Sequence, residues 1–275
     1  MQIHILTNDT ARKRGFLAEH GLSVYIEYKS RRLLFDTGQT DVYRRNAEQM
    51  GIDLQKADTV VLSHGHYDHC GGMPFFPSRD YPCIYVHANA FEKKLKTDSA
   101  SMDYRDIGIP WTPDETRKIL QTVTYTHGLS TAIGPGITLC GEIPYTMNFE
   151  PAPDEFFFAD KKGTVQKDSF ADEQFLVIDD DGLVVFLGCS HPGVANCLNI
   201  VRELFPGKSI KMVVGGMHLE NAGAVRLDLT IRYLKDLEIQ KIVPLHCTGL
   251  MATAELKKQF GNRCLILNAG DSMVL

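Results

Sequence analysis

The amino-acid sequence predicts an α/β (α+β) fold, a four-layer αββα sandwich, formed by a single domain over residues 1–275. Segments with hairpin patterns dominate the early part of the chain, and strands that alternate with helices dominate the later part. Of the 275 residues, 44% are hydrophobic and 23% are charged, which is ordinary for a soluble globular protein. This length suits one large domain.

Short apolar segments separated by turn residues make up the first part of the chain. Strands are expected at 3–6, 24–28, 32–35, 59–62 and 84–87, and helices at 41–50 and 88–96. Two of the strands would pair around Lys29-Ser30-Arg31. Gly51 would end the first helix at its C′ position, where glycine is the favoured residue. This part of the chain is therefore expected to consist mainly of strands.

The later part of the chain has clearer alternation. Asp180-Asp181-Gly182 is a hairpin signal between two apolar runs. Strands are expected at 175–178, 183–187, 211–214, 242–245 and 265–267, and helices at 194–204, 222–237 and 253–260. The helix at 222–237 is predicted to be amphipathic because its apolar residues recur at helical spacing. Strands followed by helices are typical of a sheet covered by helices.

Residues 97–172 show few periodic segments. They include Trp111, the single tryptophan, several prolines and the aromatic run Phe156-Phe157-Phe158. A long irregular stretch in a compact domain is usually functional or flexible. Two interpretations are open: a lid that supplies apolar contacts to a substrate, or a peripheral insertion or dimer contact.

The strongest functional signal is the segment Ser63-His64-Gly65-His66-Tyr67-Asp68-His69 at the end of a predicted strand. Three imidazoles and a carboxylate within six positions are difficult to satisfy by packing alone. We expect His64 and His66 to bind one metal ion, and Asp68 and His69 to bind a second. Imidazole and carboxylate ligands suit zinc, iron or manganese, and the alternative is a polar loop without a metal.

This His-x-His-x-Asp-His segment resembles the signature of the metallo-β-lactamase superfamily. Segments at 33–38, 188–193 and 244–249 resemble further motifs of that superfamily, and 18–23 and 215–219 are similar to one of its branches. That branch contains uncharacterised metal-dependent hydrolases and dihydropterin-6-methyl-(ribofuranosyl)aminobenzene-phosphate synthases. The resemblance implies an αββα fold and two divalent metal ions, with zinc favoured and iron or manganese as alternatives.

The resemblance implies further metal ligands after later strands. His246 matches the last histidine of the superfamily, and His191 would replace the usual earlier histidine from a neighbouring position. Gly188-Cys189 lies where the superfamily usually has a bridging aspartate. Cys189 is therefore either a ligand of the second metal or a small core residue. In the earlier slot where a histidine is common, this chain has Asp172 and Glu173 instead. The ligands between His69 and His246 thus depart from the common pattern.

Several other residues near the ends of predicted strands are expected to support the metal site. Asp36 is expected to orient the ligand loop without binding metal, by fixing a histidine tautomer or a backbone amide. His218 follows a strand and would contact substrate or donate a proton, or be merely structural. His191 precedes Pro192 at a predicted helix N-terminus, whose N–H groups would bind an anionic substrate group. The remaining histidines are taken as structural, namely His4, His87 and His127, with His20 left open.

These residues predict a metal-dependent hydrolase of a small ester or phosphoester. A metal-bound hydroxide would attack the substrate, with Asp68 accepting a proton and His218 donating one to the leaving group. The resemblance leaves two alternatives, a synthase or lyase acting on a pterin or phosphoribosyl compound, and a non-catalytic metal-binding or small-molecule-binding protein. An iron redox protein of the flavodiiron type is not favoured, because such proteins carry a further flavodoxin domain.

Composition limits the partners and the compartment. The net charge of −5 argues against nucleic acid as a partner. No apolar run approaches the length of a membrane helix, and the N-terminal residues do not resemble a signal peptide. Seven cysteines spread along the chain favour a reducing cytoplasm over a disulfide framework. We expect a cytoplasmic protein that binds a small, possibly phosphorylated substrate, and a homo-oligomer is possible.

Overall fold

The computed structural model describes residues 1–77, 80–97, 103–160 and 162–275. The chain forms two compact units. Unit 1 comprises residues 1–126, 154–168 and 268–275, and unit 2 comprises residues 127–153 and 169–267. Each unit contains one large sheet, and unit 1 contains a second, smaller one.

The described residues form strands and helices in the following order. The strands are β1 (Gln2–Thr7), β2 (Ser23–Tyr28), β3 (Arg31–Phe35), β4 (Thr59–Val61), β5 (Cys83–His87), β6 (Lys93–Thr97), β7 (Tyr104–Asp106), β8 (Val123–Thr126), β9 (Ser130–Gly134), β10 (Ile137–Gly141), β11 (Phe156–Ala159), β12 (Val165–Lys167), β13 (Gln174–Asp179), β14 (Leu183–Leu187), β15 (Ile210–Gly215), β16 (Lys241–Pro244) and β17 (Ser272–Val274). The α-helices are α1 (Val42–Gln49), α2 (Tyr67–Cys70), α3 (Pro113–Ile119), α4 (Val194–Leu204), α5 (Ala224–Asp236) and α6 (Leu250–Phe260). Short 3-10 helices lie at Leu54–Lys56, Met73–Phe75, Ala88–Phe91, Leu120–Thr122, His246–Thr248 and Gly261–Arg263.

The large sheet of unit 1 has the strand order β17-β1-β2-β3-β4-β5-β8. Strands β17, β1, β2 and β3 pair antiparallel, whereas β3, β4, β5 and β8 pair parallel. Helix α1 packs on it, since Tyr43 and Ala47 share a hydrophobic cluster with Leu34 and Val60. Because the parallel strands run the same way, the residues that follow β3, β4 and β5 lie at one edge of the sheet.

The small sheet of unit 1 has the order β12-β11-β6-β7 and is antiparallel throughout. Its strand β6 contradicts the helix predicted at 88–96, because only Ala88–Phe91 forms a 3-10 turn before Lys93 starts the strand. The alanine and lysines of that segment favour a helix locally. Pairing of β6 with β11 and burial of Lys94 and Leu95 override that preference.

The large sheet of unit 2 has the order β16-β15-β14-β13-β10-β9, with β14, β15 and β16 parallel. The predicted hairpin is confirmed, since β13 and β14 pair antiparallel around Asp181 and Gly182, which have φ of 52° and 118°. Helices α4, α5 and α6 share one hydrophobic cluster with this sheet. That cluster includes Val185, Val213, Leu198, Leu234 and Leu256.

About half of residues 97–172 lie in strands and helices, more than the irregular segment that the sequence suggests. Strand β8 belongs to the large sheet of unit 1, β9 and β10 to the large sheet of unit 2, and β11 and β12 to the small sheet. Such short strands carry little periodicity, which explains why the pattern misses them. Residues 98–102 and 161 of this segment lie outside the described residues, and its role as a lid stays a prediction.

The strand predicted at 265–267 is also wrong, because the last strand is β17, which pairs with β1. Cys264 makes an isolated bridge to Ile242 and Leu265 donates one backbone hydrogen bond to the Ile242 carbonyl. Most other predicted elements agree with the structure to within a few residues. In the described ranges, no helix combines the length and the apolar character needed to cross a membrane.

Candidate metal centre

The histidine-rich segment of unit 1 begins two residues after β4 and continues into α2. Its four predicted ligands, His64, His66, Asp68 and His69, are 1%, 5%, 6% and 0% exposed. The ring centroids of His64 and His66 lie 4.5 Å apart, and those of His64 and His69 lie 4.2 Å apart. Unit 1 therefore gathers three buried imidazoles at the carboxyl end of a parallel strand.

Asp36 follows β3 and its carboxylate organises this segment. One oxygen, Oδ1, accepts a hydrogen bond from the Ser63 backbone N–H at 2.7 Å. The other, Oδ2, accepts from the Ser63 hydroxyl at 2.7 Å and contacts His69 Nδ1 at 2.7 Å. Because an ionised carboxylate can only accept, the His69 proton lies on Nδ1. The Nε2 atom of His69 then carries a lone pair that is available to hold a metal.

The Ser63 hydroxyl likewise fixes the position of the proton on the His64 ring. The Ser63 hydroxyl has one proton and donates it to Asp36, so it must accept from His64 Nδ1, which lies 2.9 Å away. Burial, together with the neighbouring imidazoles of His69 and His66, holds the pKa of His64 well below its ordinary value. A neutral imidazole with its lone pair on Nε2 is the form that binds a divalent metal. These residues thus fit the metal that the sequence implies.

Asp36 itself has a φ of 57°, in the left-handed region that costs energy for most residues. Aspartate tolerates this region better than most because its short polar side chain bonds locally. Backbone strain at a strand end that positions metal ligands is typical of functional sites. The sequence predicts that Asp36 orients the loop, and its contacts with Ser63 and His69 are the kind that this role requires.

Asp68 contacts a histidine that the sequence left open. The Nε2 atom of His20 lies 3.3 Å from Asp68 Oδ2, and its Nδ1 lies 3.1 Å from Asp9 Oδ2. Asp9 also accepts a hydrogen bond from the Gly21 backbone N–H at 3.2 Å. The His20 side chain is 51% exposed, whereas that of Asp68 is 8% exposed. His20 therefore links a buried predicted ligand to the surface of unit 1.

His66 packs against the aromatic run of β11. Its ring stacks on Phe156 with the centroids 5.6 Å apart and an interplanar angle of 17°. Phe156 is 4% exposed and comes from the segment for which the sequence leaves a lid or an insertion open. The contact lies within unit 1 and shields one face of the His66 ring from water.

Gly65 is required where the ligand loop approaches the turn that follows β5. A Cβ at this position would lie 2.1 Å from the Ala90 carbonyl oxygen, a backbone atom that cannot easily move. We expect Gly65→Ala to lower the free energy of unfolding by about 1–3 kcal/mol and to weaken metal binding, because the chain must shift beside His64 and His66. Urea unfolding and metal titration measure the two effects.

Gly51→Ala is the matched control for Gly65→Ala. Gly51 has a φ of 72°, but nothing lies within 4 Å of a Cβ placed there. The alanine costs about 1–2 kcal/mol from the left-handed backbone alone, and metal binding should be unchanged. Equal metal affinities in the Gly65 and Gly51 variants would contradict the packing role given to Gly65.

Unit 2 places its predicted ligands after the three parallel strands β14, β15 and β16. Cys189 and His191 follow β14, His218 follows β15, and His246 follows β16. Ser190, His218 and His246 have φ values of 58°, 47° and 47°, so a left-handed residue lies beyond each of these strands. The ring centroids of His191 and His218 lie 4.6 Å apart. Left-handed residues cluster in this way at functional sites more often than elsewhere.

Glu173 holds His191 in unit 2 much as Asp36 holds His69 in unit 1. Its carboxylate contacts His191 Nδ1 at 2.7 Å and accepts hydrogen bonds from the backbone N–H groups of His191, at 3.1 Å, and Ser190. Burial raises the pKa of this carboxyl well above its ordinary value, and those backbone donors oppose the rise. Phe170 stacks on the His191 ring at 4.3 Å and 3°. Because Glu173 engages Nδ1, Nε2 is the atom through which His191 could hold a metal.

The anion-binding helix terminus predicted after His191 is wrong. The backbone N–H groups of Ala195 and Asn196, at the start of α4, donate to the Glu150 carboxylate at 3.1 and 2.9 Å. Glu150 is buried, and Gly193 makes room for it, since a Cβ there would lie 2.1 Å from Glu150 Oε2. A residue distant in sequence thus occupies the donors that were expected to bind substrate.

The sequence missed Glu173 and Glu150, and it left His20 open. Glu173 offered a signal, because it lies in the slot before β13 where relatives commonly have a histidine. Glu150 offered none, since only the fold brings it to the start of α4. The Nδ1 atom of His87 accepts a hydrogen bond from the Asn89 backbone N–H at 3.3 Å, as expected of a structural residue.

The family model described as the metallo-beta-lactamase superfamily matches residues 18–139 of this chain. The crystal structure of Tm1679, a metal-dependent hydrolase of the β-lactamase superfamily, is 33% identical, covers 100% of this chain and 99% of that one, and has a TM-score of 0.86. The chain belongs to the metallo-β-lactamase superfamily. The predicted superfamily and its α/β fold are confirmed, and membership supports a metal-dependent enzyme in general.

Two proteins of Methanocaldococcus jannaschii are similar to this superfamily member along nearly its whole length. The uncharacterized protein MJ0448 is 32% identical over 93% of this chain and 94% of its own length. The 7,8-dihydropterin-6-methyl-4-(beta-D-ribofuranosyl)-aminobenzene-5'-phosphate synthase is 29% identical over 98% of this chain and 95% of its own length. The relatives therefore include both a hydrolase and a synthase.

Proposed function

We propose that this metallo-β-lactamase superfamily member is a metal-dependent hydrolase of a small ester or phosphoester. One observation carries the proposal: in each unit, a buried carboxylate binds the Nδ1 atom of a buried histidine. Asp36 does so with His69, and Glu173 does so with His191. Histidine ligands of catalytic metals are commonly oriented by a carboxylate in this way.

In unit 1 the proposed metal ligands are His64, His66, Asp68 and His69, and in unit 2 they are His191 and His246, all of them buried. Imidazole and carboxylate donors suit divalent ions, and we propose two, with zinc favoured and iron or manganese as alternatives. When bound, such ions lower the pKa of a bound water and polarise a substrate oxygen, which is the chemistry that hydrolysis requires.

Residues of unit 1 provide a path for the proton released during hydrolysis. Asp68 accepts the proton at Oδ2, and His20 Nε2, 3.3 Å away, takes it toward the surface. Asp9 holds the His20 ring through Nδ1. Phe156 excludes water from one face of His66. The sequence predicted His218 as the proton donor to the leaving group, but its ring lies beside Cys189 and Cys247 in unit 2, which favours a different role.

A second candidate is synthesis of a pterin-linked phosphoribosyl compound. It is supported by the similarity to the Methanocaldococcus jannaschii synthase, which covers 98% of this chain. The occupied N-terminus of α4 gives this candidate no phosphate site there. Incubation with a reduced pterin that carries a leaving group on its 6-methyl carbon and a ribofuranosylaminobenzene 5'-phosphate distinguishes the two candidates, because a synthase joins the two compounds and releases that group, and a hydrolase does not join them.

His66→Ala and Asp68→Ala test the proposed function. Each variant should lose most of its bound metal and its hydrolysis of p-nitrophenyl esters and phosphodiesters, because each removes a ligand. Metal content by elemental analysis and rates with and without added zinc or manganese measure the effects. His4→Ala is the control, since His4 lies on β1, contacts the Ser272 hydroxyl at 2.8 Å and is in none of the groups of described residues that could hold a metal.

Hydrolysis by metal-free protein at the wild-type rate would exclude a metal-dependent reaction. Metal retained in full by both variants would show that the assigned residues are not ligands. We also propose the cytoplasm as the compartment, because an odd number of cysteines spread along a chain of this size favours reducing conditions over a disulfide framework.

A further inference from the structure

We propose that Cys189, His218 and Cys247 form a thiolate–imidazole metal site within unit 2. One ligand atom from each of these residues lies within 4.8 Å of the others. The three residues follow β14, β15 and β16, which are adjacent parallel strands, so the sheet itself brings them together. The inference depends on the proposed function only in that both require a divalent metal.

The loops around this cluster leave room for the sulfur of Cys247. A Cβ on Gly216 would lie 2.6 Å from Cys247 Sγ and 2.4 Å from the Gly188 carbonyl oxygen, so no larger residue fits there. The Cys247 thiol donates to the Cys189 carbonyl at 3.4 Å. The Ser190 hydroxyl donates to the Gly216 carbonyl at 2.9 Å and so connects the loop after β14 to the loop after β15.

Hydrogen bonds also connect the loop after β16 to the loop after β15. The Met217 backbone N–H donates to the Thr248 hydroxyl at 3.1 Å, and the Leu219 backbone N–H donates to the Cys247 carbonyl at 3.2 Å. His218, between those two donors, has a φ of 47°. A strained residue held by both neighbours keeps its imidazole beside the two thiols, as a preorganised ligand requires.

The other buried cysteines of unit 2 have different surroundings. Cys140, Cys197 and Cys264 belong to the hydrophobic cluster that joins the sheet to helices α4, α5 and α6. Burial raises the pKa of the Cys140 thiol to about 12, which keeps it protonated and inert. Cys189 and Cys247 instead lie next to an imidazole, at a sheet edge where the histidine ligands also lie.

Two sulfurs and an imidazole are soft or borderline ligands. This combination favours zinc, and cobalt as its substitute, over manganese or magnesium, with Zn–S distances of about 2.3 Å. Binding displaces the thiol protons, so the two cysteines release two protons as the ion enters. His191, whose ring centroid is 4.6 Å from that of His218, lies beside the group. The cluster would therefore give the enzyme a preference for zinc that histidines and carboxylates alone do not.

Cobalt(II) titration of the metal-free protein under reducing, anaerobic conditions tests the inference. Thiolate ligands of cobalt(II) give an intense charge-transfer absorption in the near ultraviolet, whereas nitrogen and oxygen ligands give only weak visible bands. We expect the near-ultraviolet band in the wild type, and its reduction by about half in Cys189→Ala and in Cys247→Ala. Cys140→Ala, which removes a buried thiol of the hydrophobic cluster, should keep the full band.

A second measurement needs no variant. Zinc should protect Cys189 and Cys247 of the wild type from alkylation, with the protection of each thiol read by peptide mass spectrometry, while Cys83 reacts equally with and without zinc. Visible cobalt bands without any near-ultraviolet band, or equal alkylation of Cys247 in the presence and absence of zinc, would overturn the inference and leave the hydrolase proposal standing. A near-ultraviolet band in a protein that hydrolyses nothing would support the inference and count against that proposal.

Discussion

Replacing Asp36 with asparagine should lower metal affinity by about 10- to 100-fold with little change in the fold. The asparagine oxygen can still accept the hydrogen bond from Ser63 N–H, but its NH2 group cannot accept from His69 Nδ1 or from the Ser63 hydroxyl. His69 is then no longer held with its proton on Nδ1. Asparagine also tolerates the φ of 57° at this position, so the backbone is not strained further.

Asp58→Asn is the matched control for Asp36→Asn. Asp58 also lies beside β4, but its carboxylate accepts from Arg31 Nε at 2.7 Å and from the Arg32 backbone N–H at 2.8 Å, and these contacts involve no ligand histidine. Competition with a chromophoric chelator measures zinc affinity in both variants, and circular dichroism checks the fold. An Asp36→Asn protein that binds zinc as tightly as the wild type would exclude a positioning role for this carboxylate.

Lys94→Met should reduce the free energy of unfolding by about 3–5 kcal/mol, the largest change in stability that we expect. The Lys94 side chain is 2% exposed and its Nζ lies 3.0 Å from Asp168 Oδ2, whose side chain is 3% exposed. Removal of the ammonium leaves a buried carboxylate without its cation, and the penalty for burying a charge exceeds the gain from a methionine. Urea unfolding followed by circular dichroism measures the loss.

Two further variants separate the buried charge from the side-chain volume. The double variant Lys94→Met/Asp168→Leu removes both charges and should recover most of the lost stability, since a well-packed apolar pair often replaces a buried ion pair without cost. Lys167→Met breaks a 3.0 Å pair with Asp154 in the same small sheet, but Asp154 is fully exposed, so little change is expected. A Lys94→Met protein as stable as Lys167→Met would contradict the assigned role of the pair.

The elements that the sequence predicted well are those with strong local signals. Helix α4 has the predicted bounds, and the turn at Asp181 and Gly182 forms the expected hairpin. The failures occur where tertiary contacts override local preference. Lys93–Thr97 is a strand because β11 pairs with it, although its lysines favour a helix. The short strands β9 and β10 became recognisable only through their pairing, since β9 pairs with β10 and β10 pairs with β13.

For the candidate site, the sequence supplied the ligand types and the structure supplied their partners. The spacing in Ser63–His69 predicted a metal centre because three histidines and an aspartate so close together are difficult to satisfy by packing alone. The sequence did not predict that Glu173 binds His191, because 17 residues separate the two along the chain. It predicted free backbone donors at α4, and Glu150 occupies them.

The sequence by itself determined the superfamily, the α/β fold and the histidine-rich segment, because short motifs and strong periodicity are local properties. Only the tertiary structure decided which ring nitrogens are already engaged, because Asp36 reaches His69 and the Ser63 hydroxyl beside His64, and Glu173 reaches His191, from distant parts of the chain. It also brought Cys189, His218 and Cys247 together at the ends of three parallel strands. Parallel strands bring distant residues to one edge of a sheet, and no pattern within a single segment records which residues will meet there.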